Sequence, residues 1–255
     1  MSFQPQSRLN GKVVVITGGK GAIGFTTAQR LAALGARIVS LDRQGLEAVQ
    51  MRLDTLPNAA TAQHFALTAS VTDSASLRLA AEHVKARAGR CDILINCAGF
   101  TLSIPPKDME TLSDELFDSI MVTNLRGVFS TVRSFAPLLK ESGDGLIVSV
   151  SSIAAFTGVG SNLAYVAAKA GLDALTKSLG KSLAPQVRVL CVSPGVVDSP
   201  FVPGRGADFN AKTAGTVPLG RVGQVEDIAS AIEACATTLR FATGARFVVD
   251  GGRCL

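Results

Sequence analysis

Tyr165 and Lys169 stand four residues apart in Tyr165-Val166-Ala167-Ala168-Lys169, and Tyr165 is the only tyrosine of the chain. On a helix that spacing brings both side chains onto one face, with Cβ atoms about 5–6 Å apart. A free phenol titrates near ~10, too high to trade protons readily at neutral pH. An ammonium beside it favours the phenolate and draws that value toward the working range of an acid/base catalyst. Upstream, Val148-Ser149-Val150-Ser151-Ser152 reads as a strand running into a turn, which puts Ser152 at its C-terminal end. In open α/β sheets ligands bind along that edge. A tyrosine four residues before a lysine is by itself an ordinary helix surface. Its weight comes from the elements around it.

A second constellation lies near the N-terminus. Residues 12–17 form an apolar run suited to a strand buried on both faces, and Gly18-Gly19-Lys20-Gly21-Ala22-Ile23-Gly24 follows at once. A helix is expected over 25–34, with Gly35 as its stop. Strand, glycine-rich turn and helix make a phosphate-binding unit. Glycine lets the backbone approach a pyrophosphate, and the helix start supplies unpaired N–H groups. Gly18, Gly21, Ile23 and Gly24 are therefore candidate cofactor contacts. A second buried strand over 36–41 ends in Asp42, placed to meet an adenosine ribose. A carboxylate there favours NAD and repels the 2′-phosphate of NADP. Arg43 beside it is a competing cation for that phosphate, so NADP stays open.

The alternation then continues. Helices are expected over 44–56, 74–88, 113–139, 162–183 and 224–239, and strands over 64–67, 92–95, 145–151, 187–192 and 246–249. Repeated units of this kind imply an α/β fold: one Rossmann-type domain, a doubly wound parallel sheet with helices on both faces. No linker, repeat or second core divides residues 1–255. Between 196 and 220 the pattern stops, in a stretch holding Pro200, Pro203 and Pro218. A loop of that length leaving a strand's C-terminal end is expected to be a substrate lid. Phe201, Val202 and Phe209 would be its apolar wall, and Arg205 and Lys212 its cations.

Composition narrows the function classes. The chain has 255 residues, 47% hydrophobic and 18% charged, as for a globular domain with a large core. Its net charge is +5, but Lys and Arg are scattered without a basic run or interleaved aromatics. No nucleic-acid partner is expected. Five cysteines form no C-x-x-C pair, and His64 and His83 are the only histidines. Reduced thiols and no metal site fit that pattern. No apolar run reaches the ~18 residues of a membrane span, and residues 1–10 lack a signal-peptide core. The expectation is a cytoplasmic protein without membrane contact.

Taken in order, these pieces resemble the classical short-chain dehydrogenases/reductases over nearly the whole chain. The resemblance is carried by Thr17-Gly18-x-x-x-Ala22-Ile23-Gly24, Asn96-Cys97-Ala98-Gly99, Asn124, Ser152, Tyr165-x-x-x-Lys169 and Pro194-Gly195. Pro218-Leu219-Gly220-Arg221, Thr243-Gly244 and Val249-Asp250-Gly251-Gly252 are similar too. It implies hydride transfer between NAD(P) and a small alcohol or ketone, in a homotetramer. Tyr165 would be the acid/base, and Lys169 its tuner and the grip on the nicotinamide ribose. Ser152 would bond the substrate oxygen, and Asn124 would bend its helix and hold a water. Asn96, Ala98 and Gly99 would line the cofactor, with Pro194, Gly195, Val197 and Ser199 at the nicotinamide end. The chain departs from the family at Ala22, Cys97, Ser70, Leu190 and Ser199, and Ser70 leaves adenine recognition to Val71. A 3-oxoacyl-(acyl carrier protein) reductase using NADPH is the alternative within the same resemblance.

Overall fold

The apolar run that opens the chain is continuous because its strand is covered twice. In β1 (Val13–Thr17) every residue is buried. Val14 and Ile16 pack on one side of the sheet and Val13 and Val15 on the other, as the period of two in a strand requires. The protein is described by a computed structural model over residues 9–204 and 208–255. After β1 come α1 (Ala22–Ala33), β2 (Arg37–Asp42), α2 (Leu46–Leu53), α3 (Ala59–Ala62) and β3 (Phe65–Thr68). Next are α4 (Ser74–Ala88), β4 (Ile93–Asn96), α5 (Asp114–Met121), a π-helical turn (Val122–Arg126) and α6 (Gly127–Glu141). The chain continues with β5 (Gly145–Val150), α7 (Ala154–Thr157), α8 (Leu163–Ser182) and β6 (Val187–Pro194). It closes with α9 (Phe209–Ala214), α10 (Val225–Thr237) and β7 (Ala245–Val249).

The strands form one parallel sheet in the order β3-β2-β1-β4-β5-β6-β7. The chain winds outward from β1 to β3, returns to β4, and winds the other way to β7. The crevice where the order reverses, between β1 and β4, is where such sheets bind ligands. Leu31, Val49 and Ile232, from α1, α2 and α10, close one face. Leu77, Phe135 and Leu172, from α4, α6 and α8, close the other. This is the doubly wound α/β arrangement that the alternation predicts. Among the described residues no helix is long and apolar enough to cross a membrane.

Several boundaries differ from the pattern read along the sequence. The helix expected over 113–139 is two α-helices joined through the π turn. The helix expected over 44–56 ends at Leu53, followed by the short α3. Strand β6 runs on to Pro194 because β7 pairs with it to that point. Within 196–220 the chain is not structureless: α9 lies there, and Val197 makes an isolated parallel bridge to Gly223. Arg205, named above as a lid cation, lies outside the described residues.

Candidate active site

Every residue singled out from the sequence as catalytic or cofactor-binding, except Asn96 and Asn124, lines one cleft of about 1020 Å³ at the C-terminal edge of the sheet. At one end of the cleft, β1 hands over to Gly18, whose φ of +69° is left-handed. A Cβ on Gly18 would stand 2.9 Å from the backbone of Ala98, and one on Gly24 only 2.4 Å from the Gly18 carbonyl. Only glycine packs this tightly. Gly21 is the N-cap of helix α1 and offers no side-chain cap, and the first turn holds no acidic residue. Its unpaired N–H groups and dipole are left for an anion, which is the fit a dinucleotide pyrophosphate requires. Ala22, one of the departures from the resemblance, is the first residue of α1.

Asp42 ends β2 and is 6% exposed. Its Oδ2 accepts the Ser40 hydroxyl at 2.6 Å, and its Oδ1 accepts the Lys20 N–H at 3.3 Å. These bonds hold the carboxylate at the cleft, while Arg43 beside it is exposed. Val71 lines the cleft after β3, and Ser70 turns its hydroxyl to Thr72 at 2.8 Å.

Asn96 and Asn124 stand behind the wall rather than in it. Asn96 donates to the Ser149 hydroxyl at 3.2 Å and so joins β4 to β5. Asn124 sits in the π turn, fully buried, and donates to Phe100 O at 2.8 Å and Ile120 O at 2.9 Å. It thereby clips the loop after β4 to the helix. A side chain on Gly99 would collide with it, at 2.6 Å from Oδ1. The π geometry opens the helical ladder at the site, a common location for such turns.

Tyr165 and Lys169 are both inward on α8, 9% and 5% exposed. Asn162 caps that helix and accepts the Tyr165 N–H at 2.8 Å. Lys169 Nζ lies 5.5 Å from the tyrosine ring centroid and donates to Val150 O at 2.7 Å. Burial pushes the Lys169 ammonium down to about 8, against the pull of Cys97, Asp173 and Cys191. Ser152 follows β5 and accepts the Ala154 N–H at 3.1 Å. The Phe201 ring stands 6.1 Å from that of Tyr165. Gly195 presses on Asp250, where a Cβ would come to 2.8 Å. Cys97 lines the cleft too, but burial lifts its thiol to about 12, which leaves it a poor nucleophile.

One group of residues was not visible from the motifs. Asp173, a turn beyond Lys169, accepts the Ser151 hydroxyl at 2.6 Å and Arg246 Nη1 at 2.7 Å. The Arg246 guanidinium lies 4.0 Å over the Phe156 ring of α7. This net ties α8, the end of β5, α7 and β7 together around Ser152. Its one sequence signal was an acid at i+4 from Lys169. Chemically, the site holds a phenol and a hydroxyl beside an ammonium, a set able to move a proton to or from a ligand oxygen.

A family model described as enoyl-(acyl carrier protein) reductase matches residues 18–253. A 3-oxoacyl-(acyl-carrier-protein) reductase of Thermotoga maritima is 31% identical over 249 residues, covering 96% of this chain and 98% of that one. A D-threitol dehydrogenase of Mycolicibacterium smegmatis is 34% identical over 253 residues, covering 96% and 94%. Among solved structures, carveol dehydrogenase from Mycobacterium avium in complex with NAD matches with a TM-score of 0.86 at 26% identity, covering 97% of this chain and 99% of that one. The chain belongs to the short-chain dehydrogenase/reductase family, a family of oxidoreductases.

Proposed function

We propose that the protein interconverts a secondary alcohol and a ketone, with Tyr165 as general acid/base and NAD as the favoured cofactor. The observation that carries this is the pair Tyr165 and Lys169 on one face of α8, in the cleft that also holds Ser152 and the glycine turn. When bound, the dinucleotide supplies or takes up the hydride. Tyr165 accepts the hydroxyl proton when an alcohol is oxidised and returns it when a ketone is reduced. The Lys169 ammonium stabilises the phenolate between those steps and grips the nicotinamide ribose. Ser152 donates to the substrate oxygen and steadies the charge that develops on it. Asn124 holds the wall against which Gly99 is packed. Tyr165→Phe removes only the transferable proton, so turnover should fall by ~10²–10⁴ while NAD affinity stays nearly unchanged. A variant that kept more than about a hundredth of the rate would remove Tyr165 from this role.

A second reading is a 3-oxoacyl-(acyl carrier protein) reductase using NADPH. Similarity to the Thermotoga maritima reductase favours it, and the buried Asp42 carboxylate opposes it. Turnover of an acyl-carrier substrate with NADPH, beside simple ketones with NADH, separates the two.

The proposal extends to a homotetramer in the cytoplasm. Unpaired cysteines support a reducing compartment. The small and apolar residues of α8, such as Ala168, Gly171 and Leu172, read from the sequence as a face that could pack across a two-fold axis, but Ala168 and Leu172 are buried within the chain and Gly171 abuts Leu125. Exposed Phe117, Phe129 and Leu163 on α5, α6 and α8 are the better candidates for a partner. A monomer in sedimentation at micromolar concentration would sink the assembly. The segment 196–220, which carries Phe201 toward Tyr165, is read as the substrate lid.

A further inference from the structure

The substrate half of the cleft is walled largely by apolar side chains, among them Phe100, Phe201, Val202 and Phe209. Lys20, Asp42 and Arg43 belong to its nucleotide end, and Lys169 to the centre. Among the described residues one further charged side chain lines the cleft, Arg253. It is half-buried and comes from the C-terminal tail.

The tail is held firmly. Asp250 turns it by accepting the N–H of Gly252 at 2.9 Å and that of Cys254 at 3.0 Å. Gly251 and Gly252 both have left-handed φ, +66° and +86°. A Cβ on Gly251 would stand 2.7 Å from Val217 Cγ1, and Leu219 N donates to Gly251 O at 3.1 Å. The turn is thus locked on one side to the end of segment 196–220. On its other side Asp250 backs Gly195, beside Pro194 at the expected nicotinamide end. Arg253 Nη1 donates to Thr216 Oγ1 at 2.5 Å, and that hydroxyl donates to Thr213 O at 2.8 Å.

What this guanidinium lacks is a counter-charge. Arg30, Arg90, Arg221, Arg240 and Arg246 each have a carboxylate within ion-pair distance. Arg253 has none among the described residues, which it shares with Arg52 and Arg133, and it differs from those two in lining the cleft. A guanidinium's planar fork matches a carboxylate in two parallel bonds, and Arg253 sets one in the wall of the cleft. We propose that Arg253, steadied by Thr216, recognises a carboxylate on the substrate. The enzyme then acts on hydroxy and keto acids whose apolar body spans the distance from that carboxylate to the reacting carbon. This specificity rests on the oxidoreductase reading above.

The test takes a panel of aliphatic and cyclic keto acids, each paired with its methyl ester. Calorimetric affinity for the full-length protein loaded with NAD, and kcat/KM with NADH, are measured for each pair on the wild type, Arg253→Met and Arg253→Lys. The wild type should bind at least one acid about tenfold or more tightly over its ester, as a charge-assisted pair gives. Arg253→Met should lose that preference, through KM rather than kcat, and Arg253→Lys should keep part of it. Equal affinity for acid and ester throughout, or a preference that survives in Arg253→Met, would overturn the proposal whether or not the pairs turn over. An Arg253-dependent preference for the acid with no reduction of any pair would uphold the site and sink the oxidoreductase reading instead.

Discussion

Lys169 donates from Nζ to the carbonyl of Val150 at 2.7 Å, joining the middle of α8 to the last residue of β5. One turn along the helix, Asp173 bonds the Ser151 hydroxyl at 2.6 Å. The two bonds bracket the strand end from which Ser152 follows, so the hydroxyl and Tyr165 are held in one frame.

That frame has a pH signature. Burial brings Lys169 down to about 8, with Asp173 among the groups that resist the shift. As pH rises through that value the ammonium is lost, and with it the charge that favours the phenolate. The alkaline limb of kcat/KM should therefore fall near pH 8 in the wild type. Asp173→Asn should move it to lower pH, because one supporting charge is gone. Lys169→Arg cannot titrate in this range, so its limb should vanish. A limb that stayed in place in both variants would assign it to some other group.

Cofactor choice tests Asp42. The Ser40 hydroxyl and Lys20 N–H hold its carboxylate beside the glycine turn, where in the proposed binding mode it would repel a 2′-phosphate. The wild type should show a higher kcat/KM with NAD than with NADP, and Asp42→Ser should narrow or reverse that ratio by exposing Arg43 to the phosphate. A wild type that prefers NADP would mean that Arg43 dominates.

His64 sets the acid side of stability. Its Nδ1 accepts the Ile38 N–H at 3.0 Å and its Nε2 donates to Pro57 O at 3.1 Å, which defines the neutral tautomer. Burial holds its pKa below the ordinary 6.5. The unfolded chain therefore takes up the proton first. Its stabilising contribution is complete above that ordinary value and is lost as pH falls through it toward the lower folded value. Thermal melting should be flat above neutrality and decline below about pH 6.5, and His64→Gln should flatten that decline. An unchanged slope in the variant would exclude His64 as the source.

The proposed lid should be cofactor-sensitive. Segment 196–220 starts at the Pro194-Gly195 turn, and Lys212 is exposed on the short α9. Trypsin should cut the apo protein preferentially between 196 and 220, at Lys212 or at Arg205, which lies outside the described residues. Saturating NAD should slow the cut. Equal rates with and without NAD would show that the cofactor does not gate this segment.

The presence of the strands, the glycine turn and the Tyr165–Lys169 pair is legible in the sequence, because each is written in neighbouring residues. A strand covered on both faces must be apolar throughout, as Val13 to Ile16 are. A phosphate turn must be glycine-rich over a few positions, and a helix brings i and i+4 together wherever it forms. Whatever depends on partners distant in the chain becomes visible only once the fold is formed. Asn124 opens a π turn while bonding Phe100, 24 residues away, and no local period encodes that bond. Asp173 meets Arg246 across 73 residues, and Arg253 reaches Thr216 across 37. The last two pairs form where the sheet order brings β6 and β7 side by side. A residue's chemistry can be read from its type; its counter-charge depends on which strand lies next to it.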